Sequence, residues 1–345
     1  MQRTVLAAAA WLLVASPALA QREDQVFLTK GVPVRGTIPD GGMTRDRVTI
    51  DSATTPRPIE VHEITRITFK DEPGDLNLAR TQALQKNYSQ ALVDLKKLDG
   101  QKFERAYVRQ DIEFYRALCL CRLALNEGGD KKAATDAMYA FVSKAPQSYH
   151  FYEAAEILGD VAMAAGNYAE AARYYGPIAT APWDDYQIKA NNATGRALLG
   201  EKKFDQALEK FQAVIKSPLE TPDALKQKNS AQVGRAICQS ESGKTDEAIA
   251  QLQELVSKND PQDAVLFARI YNALGRCYLK QNKPKDAIMA YLHTDTLFNT
   301  DADSHAEALY HLSKLWSEVN KSDRADAARN TLRDRYAGSV WAGRE

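Results

Sequence analysis

Five histidines occur in the 345-residue chain, and three of them stand close to one another and to acidic residues: His293, Asp295, Asp301, Asp303, His305 and His311. Imidazoles and carboxylates at this density are the raw material of a metal site. Asp301-x-Asp303 also matches the opening of a calcium loop, where carboxylates at alternate positions converge on one ion. The match stops there, because Ala306 stands where that loop needs glycine and Leu312 where it needs a bidentate glutamate. Ser304-His305-Ala306-Glu307 reads more simply as a capping box opening a helix. No G-x-S-x-G, Walker loop or H-E-x-x-H spacing accompanies the cluster, and His62 lies apart in a β-like segment. Trp183, Trp316 and Trp341 read as interhelix packing groups. The residues capable of chemistry therefore assign no catalytic group, metal or cofactor, and the chain reads as non-enzymatic.

The elements that carry these residues emerge from composition and periodicity. With 44% hydrophobic and 26% charged residues, 45 Lys+Arg against 45 Asp+Glu, 18 Gly and 13 Pro, the chain is of ordinary globular type. Zero net charge argues against broad attraction to nucleic acid or an anionic membrane. Residues 1–20 stand apart: Arg3 gives a basic start, Val5 to Val14 an apolar run, and Ser16-Pro17-Ala18-Leu19-Ala20 a breaker followed by Ala-x-Ala. This is the pattern of a secretory signal peptide cut near Ala20. No cysteine follows the cut as a lipid attachment point, and the sequence predicts an exported protein, periplasmic or extracellular, with no stable membrane insertion.

From Val26 to Phe69 the apolar pattern has period two. Val26–Leu28, Val32–Ile38, Arg47–Asp51, Pro58–Val61 and Ile64–Phe69 read as five short strands broken by turn residues. Residues 21–72 are thus expected to form a small SH3-like or Sm-like β-barrel or β-sheet module that docks against the helices behind it. After Asp71-Glu72-Pro73-Gly74 the period becomes 3.6 and stays so through 73–345. Within that stretch Gly159 and Ala171, Gly195 and Ala207, and Gly275 and Ala287 are each followed, four residues past the alanine, by Tyr175, Phe211 and Tyr291. Small residues permit close helix approach and the aromatic fills the gap to the next pair.

Ala155-Glu156-Ile157-Leu158-Gly159 with Gly166-Asn167-Tyr168-Ala169-Glu170-Ala171, and Ala273-Leu274-Gly275-Arg276-Cys277-Tyr278 with Lys285-Asp286-Ala287-Ile288, resemble the tetratricopeptide repeat. Weaker copies surround Ala79, Tyr115, Gly234 and Ser313. The resemblance implies a mainly α chain, a right-handed solenoid of about seven helix pairs. Residues Ala327 to Ala342 are similar to the endings of exported bacterial repeat proteins, which favours a bacterial cell envelope. Cys119 and Cys121 point apart on one helix. Cys238 and Cys277 fall at equivalent places in successive repeats, so a disulfide between them stays open.

In this family the residue after the glycine position faces the concave surface. The seven such residues here are Arg80, Arg116, Asp160, Arg196, Arg235, Arg276 and Lys314. Nearby face positions add Lys189 and Asn192, and Arg269 and Asn272. The resemblance therefore implies a basic groove able to hold a peptide or protein partner, with guanidinium forks matched to carboxylates of an acidic or C-terminal segment. The expected function is a scaffold or adaptor for protein–protein interaction in the envelope. The alternative is a structural or assembly component that acts by self-association, and internal pairing of the arginines with Glu156 or Asp160 is the competing reading of the ladder.

Overall fold

The computed structural model describes residues 23–52, 55–126 and 128–344; the signal-peptide segment lies outside them. Fourteen α-helices follow five short strands among the described residues. The strands are β1 (Asp24–Leu28), β2 (Val34–Gly36), β3 (Arg47–Asp51), β4 (Pro56–Glu60) and β5 (Ile64–Thr68). They make an antiparallel sheet in the order β2-β1-β5 and a separate β3-β4 ribbon, joined through a bridge between Thr37 and Asp51. The Val32–Ile38 run yields only three strand residues, because the Ile38 amide donates to the buried Asp24 carboxylate at 2.7 Å in place of a ladder carbonyl. Val32 is left 80% exposed.

Asp24 does more than end a strand. Its carboxylate also accepts from the Lys70 amide at 2.7 Å and from both terminal nitrogens of Arg105, at 2.5 and 3.0 Å. Tyr107 donates to the Pro39 carbonyl, Tyr152 to Asp46 at 2.6 Å and the Trp183 indole to Glu60 at 2.9 Å. Val26, Ile50, Ile67 and Phe69 share one continuous apolar core with Leu76, Phe114, Phe141 and Ile157. The β module is therefore built into the first helix pairs.

The helices pair as α1 (Gly74–Leu84) with α2 (Tyr88–Lys96), α3 (Ala106–Asn126) with α4 (Lys131–Lys144), α5 (Phe151–Ala164) with α6 (Tyr168–Tyr175), and α7 (Asp184–Gly200) with α8 (Phe204–Ile215). The last three pairs are α9 (Pro222–Glu241) with α10 (Thr245–Lys258), α11 (Ala264–Lys280) with α12 (Pro284–Leu297), and α13 (Ala302–Glu318) with α14 (Ser322–Tyr336). Each turn inside a pair contains one residue of positive φ: Lys86, Gly128, Gly166, Lys202, Gly243, Asn282 and Asn320. That left-handed residue reverses the chain while satisfying the last carbonyls of the first helix.

The repeat signature acts as its spacing implies. Ala91, Ala134, Ala171, Ala207, Ala248, Ala287 and Ala325 are all buried. A Cβ added at Gly159 would lie 2.2 Å from the Tyr175 ring, at Gly195 2.7 Å from Phe211, and at Gly275 2.6 Å from Tyr291. Phe211 also presses on the following pair, where a Cβ on Gly234 would come within 2.3 Å of it. First helices of neighbouring pairs pack directly from α1 to α3, α3 to α5, α7 to α9, α9 to α11 and α11 to α13. Between α5 and α7 a 3-10 segment, Gly176–Thr180, touches both helices. All four cysteines are buried and free, Cys238 and Cys277 included. Among the described residues no helix is long and apolar enough to cross a membrane.

Candidate functional site

The insertion at Gly176–Thr180 coincides with a cavity of about 770 Å³, open on the concave side and bounded by α5, α7, α9 and the start of α11. Four of the ten basic and amide residues singled out from sequence line it: Lys189, Asn192, Arg196 and Arg269. Lys189 is committed to Glu156 at 2.7 Å, and the Asn192 amide donates to Gln227 at 2.6 Å, leaving its own oxygen buried without a partner. Arg196 has a buried Nε with no acceptor. Arg269 reaches only the Ser230 hydroxyl, at 3.4 Å. Burial first, and then the like charge of Arg196, push the Arg269 guanidinium below its ordinary range, against the weaker pull of Asp301, Asp303 and Asp263. Among the described residues these two guanidinium groups of the pocket thus have no direct ion pair.

The opposite wall is acidic. Asp160, at the one ladder position that is not basic, accepts from the Tyr175 hydroxyl at 2.9 Å. Burial raises the Glu156 carboxyl above its ordinary value despite Lys189 beside it, with Asp160 and Glu153 adding to the rise. A ligand seated here meets cations on α7 and α11 and carboxylates on α5.

The remaining six positions do not join this site. Arg80 is fully buried: it donates to both Glu72 oxygens at 2.9 and 3.0 Å and to Asp111 at 2.8 Å. It is a core strut, because the glycine-plus-one position of the first pair is covered by the end of the β module. Arg116 donates to Asp99 at 2.6 Å and to the Leu95 carbonyl, within its neighbourhood of α2. Arg235 turns toward α10, donating to Gln251 at 3.2 Å. Asn272 is buried between α11 and α13, donating to the Ser304 carbonyl and Glu307 while accepting from Thr294. Arg276 is held by Glu307. Lys314 is exposed, its ammonium 5.6 Å from the Tyr310 ring centre.

The histidine and aspartate cluster has structural partners. His305 meets Asp295 at 2.8 Å through one ring nitrogen and the Tyr336 hydroxyl at 2.7 Å through the other. His293 bonds the Met289 carbonyl, and burial lowers His311 to about 4. The helix cap is Asp301, which accepts from the Ser304 amide and hydroxyl, so α13 begins at Ala302 and the expected box at Ser304 is corrected. Its fourth residue, Glu307, instead faces Arg276 and Asn272.

Residues 192–264 and 235–293 match the family model described as tetratricopeptide repeat. The helical array is a tetratricopeptide-repeat-like solenoid, with the repeat itself matched over residues 192–293. This repeat protein is similar in fold to a tetratricopeptide repeat protein from Parabacteroides merdae, with a TM-score of 0.56 and 14% identity over 76% of this chain and 92% of that one. It is also similar to a Rap protein complexed with competence and sporulation factor, with a TM-score of 0.53 and 12% identity over 77% of this chain and 76% of that one. No curated protein sequence matches the chain. Sequence reasoning missed Gln227, Ser230 and Asp263 as pocket residues. The glycine frame finds positions within a pair but carries no signal for the inserted 3-10 segment beside which the pocket lies.

Proposed function

We propose that this repeat protein is a non-catalytic scaffold or adaptor that captures a peptide or protein partner in the pocket between α5 and α11. One observation carries the reading: Arg196 and Arg269 face a cavity of about 770 Å³ without an ion-pair partner. A carboxylate between them relieves their mutual repulsion, and each charge-assisted hydrogen bond contributes roughly 1.5–3 kcal/mol. The Asn192 oxygen and the α5 carboxylates accept backbone or ammonium N–H groups from the same ligand. The fit is to a short segment with an acidic group toward α11 and a donor toward α5. Support comes from the fold, a protein-interaction fold, and from the complex of the similar Rap protein with competence and sporulation factor. The composition of residues 1–20 supports export to a bacterial envelope, where that partner would be met.

The test is isothermal titration of an Asp- and Glu-containing peptide with a free carboxylate, against the parent and the Arg196→Glu/Arg269→Glu chain. A drop of tenfold or more in affinity, and binding that weakens with salt, is expected. Crosslinking in the native host with the same pair identifies the partner. Unchanged capture by the double variant refutes the pocket, and a concentration-dependent homo-assembly that captures nothing else favours self-association. Amino-terminal sequencing of the mature protein beginning at Gln21 is expected; an intact Met1 in the processed pool overturns export by this route.

A further inference from the structure

Beyond the end of α14 the chain does not leave the surface. Residues 337–344 fold back against α13 and reach the start of α4 and the turn between α5 and α6. The Gly338 carbonyl accepts from Lys131 on α4, and Val340 lies so close to the α5–α6 turn that a Cβ on Gly166 would fall 2.9 Å from its Cγ1. Trp341, only 7% exposed, donates its indole N–H to Asp303 at 3.2 Å. Its ring lies 5.6 Å from Tyr310 and 5.8 Å from His311, with the guanidinium of Arg276 5.9 Å and that of Arg344 4.3 Å from its centre. The segment therefore ties the last pair to the second and third, across a separation of 207 residues at the Lys131 contact.

We propose that this surface is a binding site for a linear segment bearing a tryptophan, with a β-branched residue before it and a cation after it, and that residues 338–344 are its resident occupant. The contacts are those of a bound peptide: an indole donor on a carboxylate, cations against the ring, one main-chain carbonyl on a lysine. The segment adds no helix pair of its own; only a 3-10 turn at Ala342–Arg344 interrupts it. A tethered ligand acts at an effective concentration on the order of millimolar, so modest contacts hold it in place until a stronger segment of the same chemistry competes. The site adjoins the basic pocket: Arg276 follows Arg269 by two turns of α11, and Asp303 pulls on the charge of Arg269. Release of the segment thus uncovers the Arg276 end of α11 beside the pocket. The inference does not rest on the Arg196 and Arg269 reading, and its test leaves those residues untouched.

A fluorescein-labelled peptide of residues 337–345 is titrated by anisotropy into the full chain, a chain ending at Tyr336, and a full chain carrying Trp341→Ala. Saturable binding to the two altered chains is expected, with affinity about tenfold or more below theirs for the parent, whose site is filled. A peptide carrying Trp341→Ala, or a receptor carrying Asp303→Ala as well, is expected to lose the signal. Trp341 lies beyond α14, so the Trp341→Ala chain removes no helical residue, and its helix content by circular dichroism qualifies it as a receptor even where the shorter chain fails to fold. Equal binding to parent and Trp341→Ala chains, or none to a Trp341→Ala chain of parental helix content, overturns the proposal.

Discussion

Replacing Arg80 with methionine isolates the strut that joins the β module to the first two helix pairs. The guanidinium is fully buried and neutralises Glu72 and Asp111, whose side chains are 4% and 1% exposed. Asp111 also meets His150 at 3.2 Å, and Arg80 with His150 holds its carboxyl below the usual carboxylate range against the opposing effect of burial. Methionine fills much of the volume but leaves Glu72 with only the Phe69 amide and Asp111 with only His150. Breaking a buried pair in this way costs about 3–5 kcal/mol, a large share of the 5–15 kcal/mol that stabilises an ordinary domain. The cost falls at pH 5, because uncompensated carboxylates take up protons and cease to be buried charges. Urea unfolding followed by circular dichroism at pH 7 and pH 5 measures the difference, and hydrogen exchange of α1 and α3 places it in the amino-terminal block. Adding Asp111→Leu to Arg80→Met is expected to recover part of the loss, since the second change removes one of the stranded charges. A loss under about 1 kcal/mol at pH 7, no change at pH 5, or strict additivity of the two substitutions refutes the argument.

The same geometry predicts two further outcomes. Gly234→Ala is expected to destabilise by about 1–3 kcal/mol through collision with Phe211, and Phe211→Leu in the same chain to lessen that loss, as read from paired denaturation curves. Burial opposes protonation of His150, but Asp111 and Glu153 outweigh it and raise the imidazole above its ordinary 6.5. Its stabilisation is therefore complete below 6.5 and fades as pH rises through the raised folded value; a thermal-melt series from pH 6 to 9 should show a decline that His150→Gln abolishes.

The helical array was legible in the sequence because its signal is local. Each glycine, alanine and aromatic sits within one pair and meets the partner its spacing names, as Gly195 meets Phe211 and Gly275 meets Tyr291. The charges behaved otherwise. A position after the glycine lies on the first helix's inner side, but what covers that side is set by distant chain: Glu72 and Asp111 at Arg80, Glu307 at Arg276. Beside Gly176–Thr180, between α5 and α7, Arg196 and Arg269 line a cavity and form no ion pair among the described residues. The β strands were found by alternation, while Val32–Ile38 was read too long because a carboxylate fourteen residues away, Asp24, took the Ile38 amide.

The ties that bind the β module to the helices also set an order of events during synthesis. Asp24 waits for Arg105, 81 residues later; Asp46 waits for Tyr152, 106 later; Glu60 waits for Trp183, 123 later. The first strands leave the ribosome long before the residues that complete their core exist. Short helical turns form early and close by, whereas distant pairings form late. The strands between Asp24 and Thr68 are thus the last part of the amino-terminal half to settle, and their edges stay unpaired for most of the time the first three helix pairs take to be made.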